Sequence, residues 1–359
     1  MMRLGLVGCG HIGTVHAYVL QQLTEAKIVD AALTATYDAD PERAAKVARR
    51  HGGEAAASLA ELVAGVDVVF VCTWTAAHLE AVELAVGAGK PVFCEKPLGP
   101  DLATAERVST LLEQVPHQVG LVLRSSPVFR QAAKIIASGE YGRPLATTLR
   151  DDQYFPIQGF YGSTWRKDVA RAGGGTLIEH SIHDIDVLRW LLGDPVAVSA
   201  STASRFGHPG IEDTAAVTFG FDDGSVAQLT SVWHQVLTRE SGRHLEVFCE
   251  GAALWTDDDY LGPLYVQTSD GTRELMGEVP EWAAQLTVPE VYAHPIAHYG
   301  TAAKGFLDGL AQGATAPGGG GTQVVGPGYP GAADALAAHR LVDQAYRSAA
   351  AGGVPVPSG

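Results

Sequence analysis

The sequence predicts an α/β chain in two parts: a doubly wound parallel sheet first, then an α/β region built on a large, mainly antiparallel open sheet. Two observations predict it. Up to residue 123, short apolar runs without alternation, such as Val68-Val69-Phe70-Val71 and Val92-Phe93-Cys94, recur between helical stretches. Such runs read as strands buried on both faces, and their alternation with helices implies βαβ units. After Asp194 the apolar period changes from 3.6 to 2, the pattern of strands with one face covered.

Composition bounds the function classes. The chain has 359 residues, 46% apolar and 18% charged, enough for two domains with real cores. A net charge of −15 argues against nucleic acid, whose phosphates need a basic surface. No apolar run is long enough to cross a bilayer. The first strand begins almost at Met1, so no signal peptide is expected, and the protein is expected to be soluble and cytoplasmic. Cys9, Cys72, Cys94 and Cys249 are scattered without metal-ligand spacing and read as buried free thiols. No metal site is expected.

The elements follow in order. Arg3 to Val7 is a strand that runs into Gly8-Cys9-Gly10-His11-Ile12-Gly13, and a helix should continue to about Leu23. This is G-x-G-x-x-G between a strand and a helix, the arrangement that binds a dinucleotide. Gly8 permits the tight turn, Gly10 the approach of a pyrophosphate, and Gly13 close packing of helix on sheet. The next strand, Ala32 to Tyr37, ends in Asp38. An acid there accepts the ribose hydroxyls and repels a 2′-phosphate, which favours NAD over NADP. Asp40, ahead of Pro41, is the better cap for the following helix, Glu42 to Arg50.

A short helix from Ser58, a strand from Asp67 to Cys72, a helix from His78 to Ala88 and a strand from Lys90 to Cys94 follow. Thr73, Trp74 and His78 fall at a strand's carboxyl end, near the expected nicotinamide. Glu95-Lys96-Pro97 stands at the end of the next strand, where ligands bind in open α/β sheets. Lys96 there can hydrogen-bond a substrate hydroxyl. A helix from Leu102 to Leu112 and a strand from Gln118 to Leu123 complete this part.

Further on, Gly173-Gly174-Gly175 precedes an apolar helical repeat running to Leu192 through Ile178, Ile182, Ile185 and Leu188. One continuous helix is expected. On it Glu179 and His183 lie one turn apart, so the carboxylate can orient the imidazole. Thr176 and Glu179 also have capping-box spacing. His180 and Asp184 read as a polar outer face. Strands are expected at Val196 to Thr202, Thr214 to Phe221, Val226 to Trp233 and His244 to Glu250, with hairpin turns at Asp223-Gly224 and Asp270-Gly271. Trp233 and His234 are placed at a cleft or an interface. Pro295 to Leu310 is expected to be helical, Ala311 to Pro330 a glycine-rich loop, and Ala332 to Ala350 a closing helix.

Taken together, Gly8-x-Gly10-x-x-Gly13, Glu95-Lys96-Pro97, Arg124 with Pro127, and the block from Gly173 to Asp186 resemble the Gfo/Idh/MocA oxidoreductase family. The resemblance covers nearly the whole chain. It implies a Rossmann domain, taken as 1–123, and a substrate-binding and oligomerisation domain, taken as 124–359. It implies a cis peptide between Lys96 and Pro97. It implies hydride transfer between NAD and a secondary alcohol of a sugar, cyclitol or glycoside. Lys96, His183 and Glu179 are then the catalytic candidates. Gly8, Gly10, His11, Ile12, Gly13, Asp38, Thr73, Trp74, His78, Glu95, Lys96 and Arg124 are the cofactor candidates. Lys96, Tyr154, Trp165, Arg166, Glu179 and His183 are the substrate candidates, with Tyr154 and Phe155 in an irregular segment. The family carries Asp where this chain has Glu179, and glycine where it has Ser181. The second sheet leaves one face to cover, so a homodimer or homotetramer is expected. An NAD-using glycosidase of the same fold and a noncatalytic NAD-binding protein are the competing readings.

Overall fold

The computed structural model describes residues 1–159, 161–289, 293, 296–313 and 329–358. Most of the glycine-rich stretch expected as a loop, and Pro295, lie outside the described residues. The chain divides into two units, Met1–Ser125 with Val279–Leu336, and Ser126–Glu278 with Ala337–Gly359.

The first unit holds six parallel strands: β1 (Met2–Val7), β2 (Ala31–Tyr37), β3 (Glu54–Ala55), β4 (Val68–Val71), β5 (Val92–Cys94) and β6 (His117–Val119), in the order β3-β2-β1-β4-β5-β6. Strand order reverses between β1 and β4, the switch point at which such sheets bind ligands. Five helices alternate with them: α1 (His11–Glu25), α2 (Pro41–His51), α3 (Leu59–Gly65), α4 (His78–Gly87) and α5 (Leu102–Leu112). The lack of alternation in the strand sequences has a direct cause. Phe70 and Phe93 feed a core on one face of the sheet, while Val69, Val71, Val92 and Cys94 feed another on the opposite face. Asp40 caps α2 through the N–H groups of Glu42 and Arg43, as its place before Pro41 implied. The strand expected to reach Leu123 stops at Val119, and a 3-10 turn occupies Val122–Ser125. All four cysteines are buried free thiols.

The second unit opens with α6 (Pro127–Ser138) and β7 (Pro144–Tyr154). After the short helix α7 (Val169–Ala172) come α8 (Thr176–Glu179) and α9 (Ile182–Leu192). Strands β8 (Ala197–Ala203), β9 (Thr214–Gly220), β10 (Val226–His234), β11 (Gly242–Cys249), β12 (Ala253–Thr256), β13 (Leu264–Thr268) and β14 (Gly271–Leu275) complete the sheet with β15 (Val356–Pro357). Their order is β14-β13-β12-β11-β7-β10-β9-β8-β15, antiparallel except for the central pair β7 and β10. Helix α10 (Thr301–Ala311) belongs to the first unit, and α11 (Ala332–Ala350) closes the fold.

Two expectations are corrected here. Tyr154 does not lie in an irregular segment; it ends β7, a strand that carries Arg150-Asp151-Asp152 at its middle. Three successive charges conceal a central strand, and the two carboxylates are tolerated because Arg243 pairs with Asp151, and Arg239 and Arg150 pair with Asp152. Nor is Thr176 to Leu192 one helix. The N–H of Ser181 bonds to the carbonyl of Thr176, five residues back, so one widened turn separates α8 from α9. The Asp223-Gly224 and Asp270-Gly271 hairpins are present.

Candidate functional site

In the first unit the glycine-rich turn is shaped by backbone crowding. Gly8 has φ +93, and a Cβ at Gly13 would stand 1.9 Å from the carbonyl oxygen of Gly8. A Cβ at Gly10 would meet nothing within 4 Å, so the backbone there is open to a close-approaching group. No side chain caps α1, and its first turn carries no acid. An uncapped helix start after a glycine turn suits a pyrophosphate. His11 and Ile12 form that first turn.

Asp38 is buried at the end of β2. Its Oδ2 accepts the Cys9 N–H at 2.7 Å and its Oδ1 the Asp40 N–H at 2.9 Å. It thereby joins the glycine turn to the second strand, and lone pairs remain for ribose hydroxyls. The Arg43 guanidinium stands 3.4 Å from Oδ1. Sequence reasoning missed Arg43, which it used only to mark the helix. Burial, reinforced by the charge of Asp38, pushes the Cys9 thiol up to about 12, so it stays protonated.

The carboxyl ends of β4 and β5 and the 3-10 turn after β6 carry the remaining candidates of this unit. Thr73 Oγ donates to the carbonyl of Trp74. His78 is buried with Nδ1 2.8 Å from the Pro97 carbonyl and Nε2 3.2 Å from that of Thr73. Burial lowers its pKa, and the neutral ring has one N–H, which donates to one of these two carbonyls. The Lys96–Pro97 bond is cis. Glu95 points into the protein: Oε1 meets Nε2 of the wholly buried His16 at 2.8 Å, and Oε2 accepts the Lys96 N–H at 3.2 Å. A Cβ at Gly120 would stand 2.7 Å from that carboxylate, so a side chain there would displace it. His16 was not singled out from the sequence. Arg124 is buried and paired with Asp334 at 3.1 Å.

In the second unit Glu179 is buried, and its Oε2 lies 3.3 Å from Nε of Arg166. Arg166 in turn stacks over Trp165, 4.5 Å from the ring centroid. The capping box does not form. Thr176 Oγ1 is bonded to Ser231 at 2.7 Å, and the N-terminus of α8 is satisfied by Glu212, which accepts the N–H groups of Gly175 at 2.7 Å and Leu177 at 2.9 Å. Tyr346 donates to the same carboxylate at 2.9 Å. Burial raises the pKa of Glu212, and these donors hold it back. Gly175 is required, because its Cβ would stand 1.8 Å from the Glu212 carbonyl.

His183 is buried in the first turn of α9. His180 and Asp184 are not an outer face: both join a buried ionic cluster with Asp151 and Arg243. Tyr154 packs against Tyr161 with ring centroids 5.4 Å apart. Trp233 is core, stacked on Phe155 at 4.9 Å, because its place on β10 faces the helices. Among the described residues no group of three or more His, Cys, Asp or Glu side chains is arranged to hold a metal ion. No described helix is long and apolar enough to cross a membrane.

Comparison with known proteins agrees with both units. Residues 2–122 match the oxidoreductase family with the NAD-binding Rossmann fold, and residues 129–255 match the GFO/IDH/MocA C-terminal domain. The inositol 2-dehydrogenase of Rhizobium meliloti is 30% identical over 97% of this chain and 97% of that protein. The myo-inositol 2-dehydrogenase of Thermotoga maritima is 30% identical over 72% of this chain and 75% of its own. A levoglucosan dehydrogenase structure with NADH and levoglucosan superposes with TM-score 0.83, covering 100% of this chain and 99% of that one; at 22% identity it establishes the fold alone.

Proposed function

The chain belongs to the Gfo/Idh/MocA family of oxidoreductases, and from that premise we propose that it is an NAD-dependent dehydrogenase oxidising a secondary alcohol of a sugar, cyclitol or glycoside. The observation that carries this reading is the placement of Lys96. It stands at the carboxyl end of β5, next to the switch point, with its N–H held by a carboxylate that His16 anchors. Full-length similarity to an inositol 2-dehydrogenase supports the substrate class.

NAD, when bound, supplies the hydride acceptor. Gly8, Gly10, His11, Ile12 and Gly13 would receive its pyrophosphate, and Asp38 its adenosine ribose. Thr73, Trp74, His78, Glu95 and Arg124 would shape or line the rest of the cofactor site. Lys96 binds the reacting hydroxyl and stabilises the developing alkoxide, and His183 takes its proton. Glu179 orients His183 or holds a neighbouring hydroxyl. Tyr154, Trp165 and Arg166 flank the substrate. Residues 1–123 would carry the cofactor, and 124–359 the substrate and self-association. Val226 and Phe248 expose apolar side chains on either side of Ala146, on the face of the second sheet turned away from Leu149, which supports a homodimer or homotetramer through that face.

A screen of inositols, sugars and glycosides for NADH absorbance tests the reading. Substrate-dependent NADH formation is expected. Sugar release without NADH would make the protein a glycosidase, and tight NAD binding without any turnover would make it noncatalytic.

A further inference from the structure

The sequence from Thr176 to Leu192 has an unbroken helical repeat, yet the chain widens at His180-Ser181, just before His183. Something other than local preference imposes that turn. Beneath it, register places three polar residues in one row: Asp151 on β7 lies opposite Arg243 on β11 and beside Ser231 on β10. The widened turn meets this row. Asp151 accepts Ser181 Oγ–H at 2.7 Å and lies 3.0 Å from Nε2 of His180. Ser181 Oγ also stands 2.6 Å from the Ser231 hydroxyl oxygen, beneath the same turn. Arg243 closes the network. Its Nε reaches Asp184 at 2.6 Å, Nη1 reaches Asp259 at 2.6 Å, and Nη2 stands 3.6 Å from Asp151. Ser181, Asp151, Asp184 and Ser231 are 0% exposed and Arg243 7%.

Burying one guanidinium with two carboxylates is a poor way to gain stability, because desolvation offsets the attraction. What this bonded network does provide is a preferred geometry, even though Asp184 Oδ2 is buried without a hydrogen-bond partner. Its members on the chain are residues 180, 181 and 184, which bracket His183. We propose that Arg243 is a positioning residue for His183: by holding Asp184 and the site of Asp151 together it fixes the widened turn, and with it the place of the imidazole. The inference rests on His183 as the proton acceptor for its kinetic consequence, and on geometry alone for its structural one.

The test compares Arg243→Met, Arg243→Lys and Ser181→Ala in the full-length protein. Imidazole nitrogen signals of histidine-labelled protein, with His183 assigned by its loss in His183→Gln, report position without any substrate. The His183 signal is expected to shift in Arg243→Met and Ser181→Ala, while those of His16, His78 and His117 stay. With an alcohol substrate, kcat is expected to fall on the order of 100-fold in Arg243→Met and about tenfold in Ser181→Ala. KM for NAD is expected to stay within about twofold, since kcat alone then carries the loss. Arg243→Lys should recover part of it. If Arg243→Met does not fold, Ser181→Ala and Arg243→Lys decide. An unmoved His183 signal in every folded variant overturns the inference. A displaced signal with unchanged kcat sustains it and removes His183 from the chemistry instead.

Discussion

Glu179 is ion-paired to Arg166, with 3.3 Å between Oε2 and Nε, and the cap of its own helix comes from Glu212 in the loop before β9. A role for Glu179 in capping is thereby removed, which leaves its charge for Arg166 and for the site. Glu179→Gln is expected to lower kcat and move the rising limb of the pH–rate profile to lower pH. The sign follows from charge: a neutral neighbour no longer favours imidazolium, so the pKa of His183 falls. A wild-type profile and rate would confine Glu179 to its pair with Arg166.

His183→Ala is expected to remove most turnover, by about 10²- to 10⁴-fold, while NAD binding is retained. The cofactor candidates all lie in the first unit and His183 in the second. NADH fluorescence titration beside steady-state rates checks both halves, and full activity would end the assignment.

Asp38 and Arg43 are predicted to act in opposite directions on cofactor choice. NAD should bind more tightly than NADP. Asp38→Ala should narrow the gap and weaken both, because the Cys9 N–H loses its acceptor. Arg43→Ala should widen the gap, since a cation beside Asp38 is removed. Equal affinities in the unmodified protein would refute the ribose role of Asp38.

His16 and Glu95 form a buried pair beneath Lys96. His16→Ala leaves a buried carboxylate without its partner and should cost about 3 kcal/mol in chemical denaturation. His16→Gln, which restores a donor, should recover part of that loss. A midpoint unchanged in His16→Ala would show that Glu95 does not depend on the imidazole.

Burial pushes the Asp184 carboxyl up to about 7; the Arg243 guanidinium opposes this and Asp151 adds to it. Its folded pKa therefore lies above its unfolded value of 3.8. The folded state binds more protons between those limits, so this group's contribution is full below about pH 4 and is lost as pH rises toward 7. Asp184→Asn mimics the protonated carboxyl. Melting temperatures of the two proteins should converge near pH 4.5, with the variant gaining on the unmodified protein by pH 7.5. A gap that stays constant over that range would place the proton elsewhere.

What was legible in the sequence was local. The glycine turn, Asp38 at a strand end, the Asp40 cap and the Asp-Gly hairpins each depend on neighbours in the chain, and each stands where its pattern put it. The apolar runs of β4 and β5 also declared themselves, because burial on both faces demands apolar residues at every position.

The rest depended on partners distant in sequence. Arg150-Asp151-Asp152 reads as surface until Arg239 and Arg243 are brought beside it, so β7 was hidden. His180 and Asp184 read as a solvated face until the sheet row carrying Asp151 and Arg243 is placed under them. Thr176 and Glu179 have the spacing of a cap, but Ser231 and Arg166 take those side chains and Glu212 does the capping. The α/β class, the dinucleotide turn and the candidates Lys96 and His183 could be read from the chain alone, since these follow from periodicity and short motifs. Which charges are buried and where the helix before His183 widens depended on the folded chain, because a charge enters a core only where the fold supplies its counter-charge.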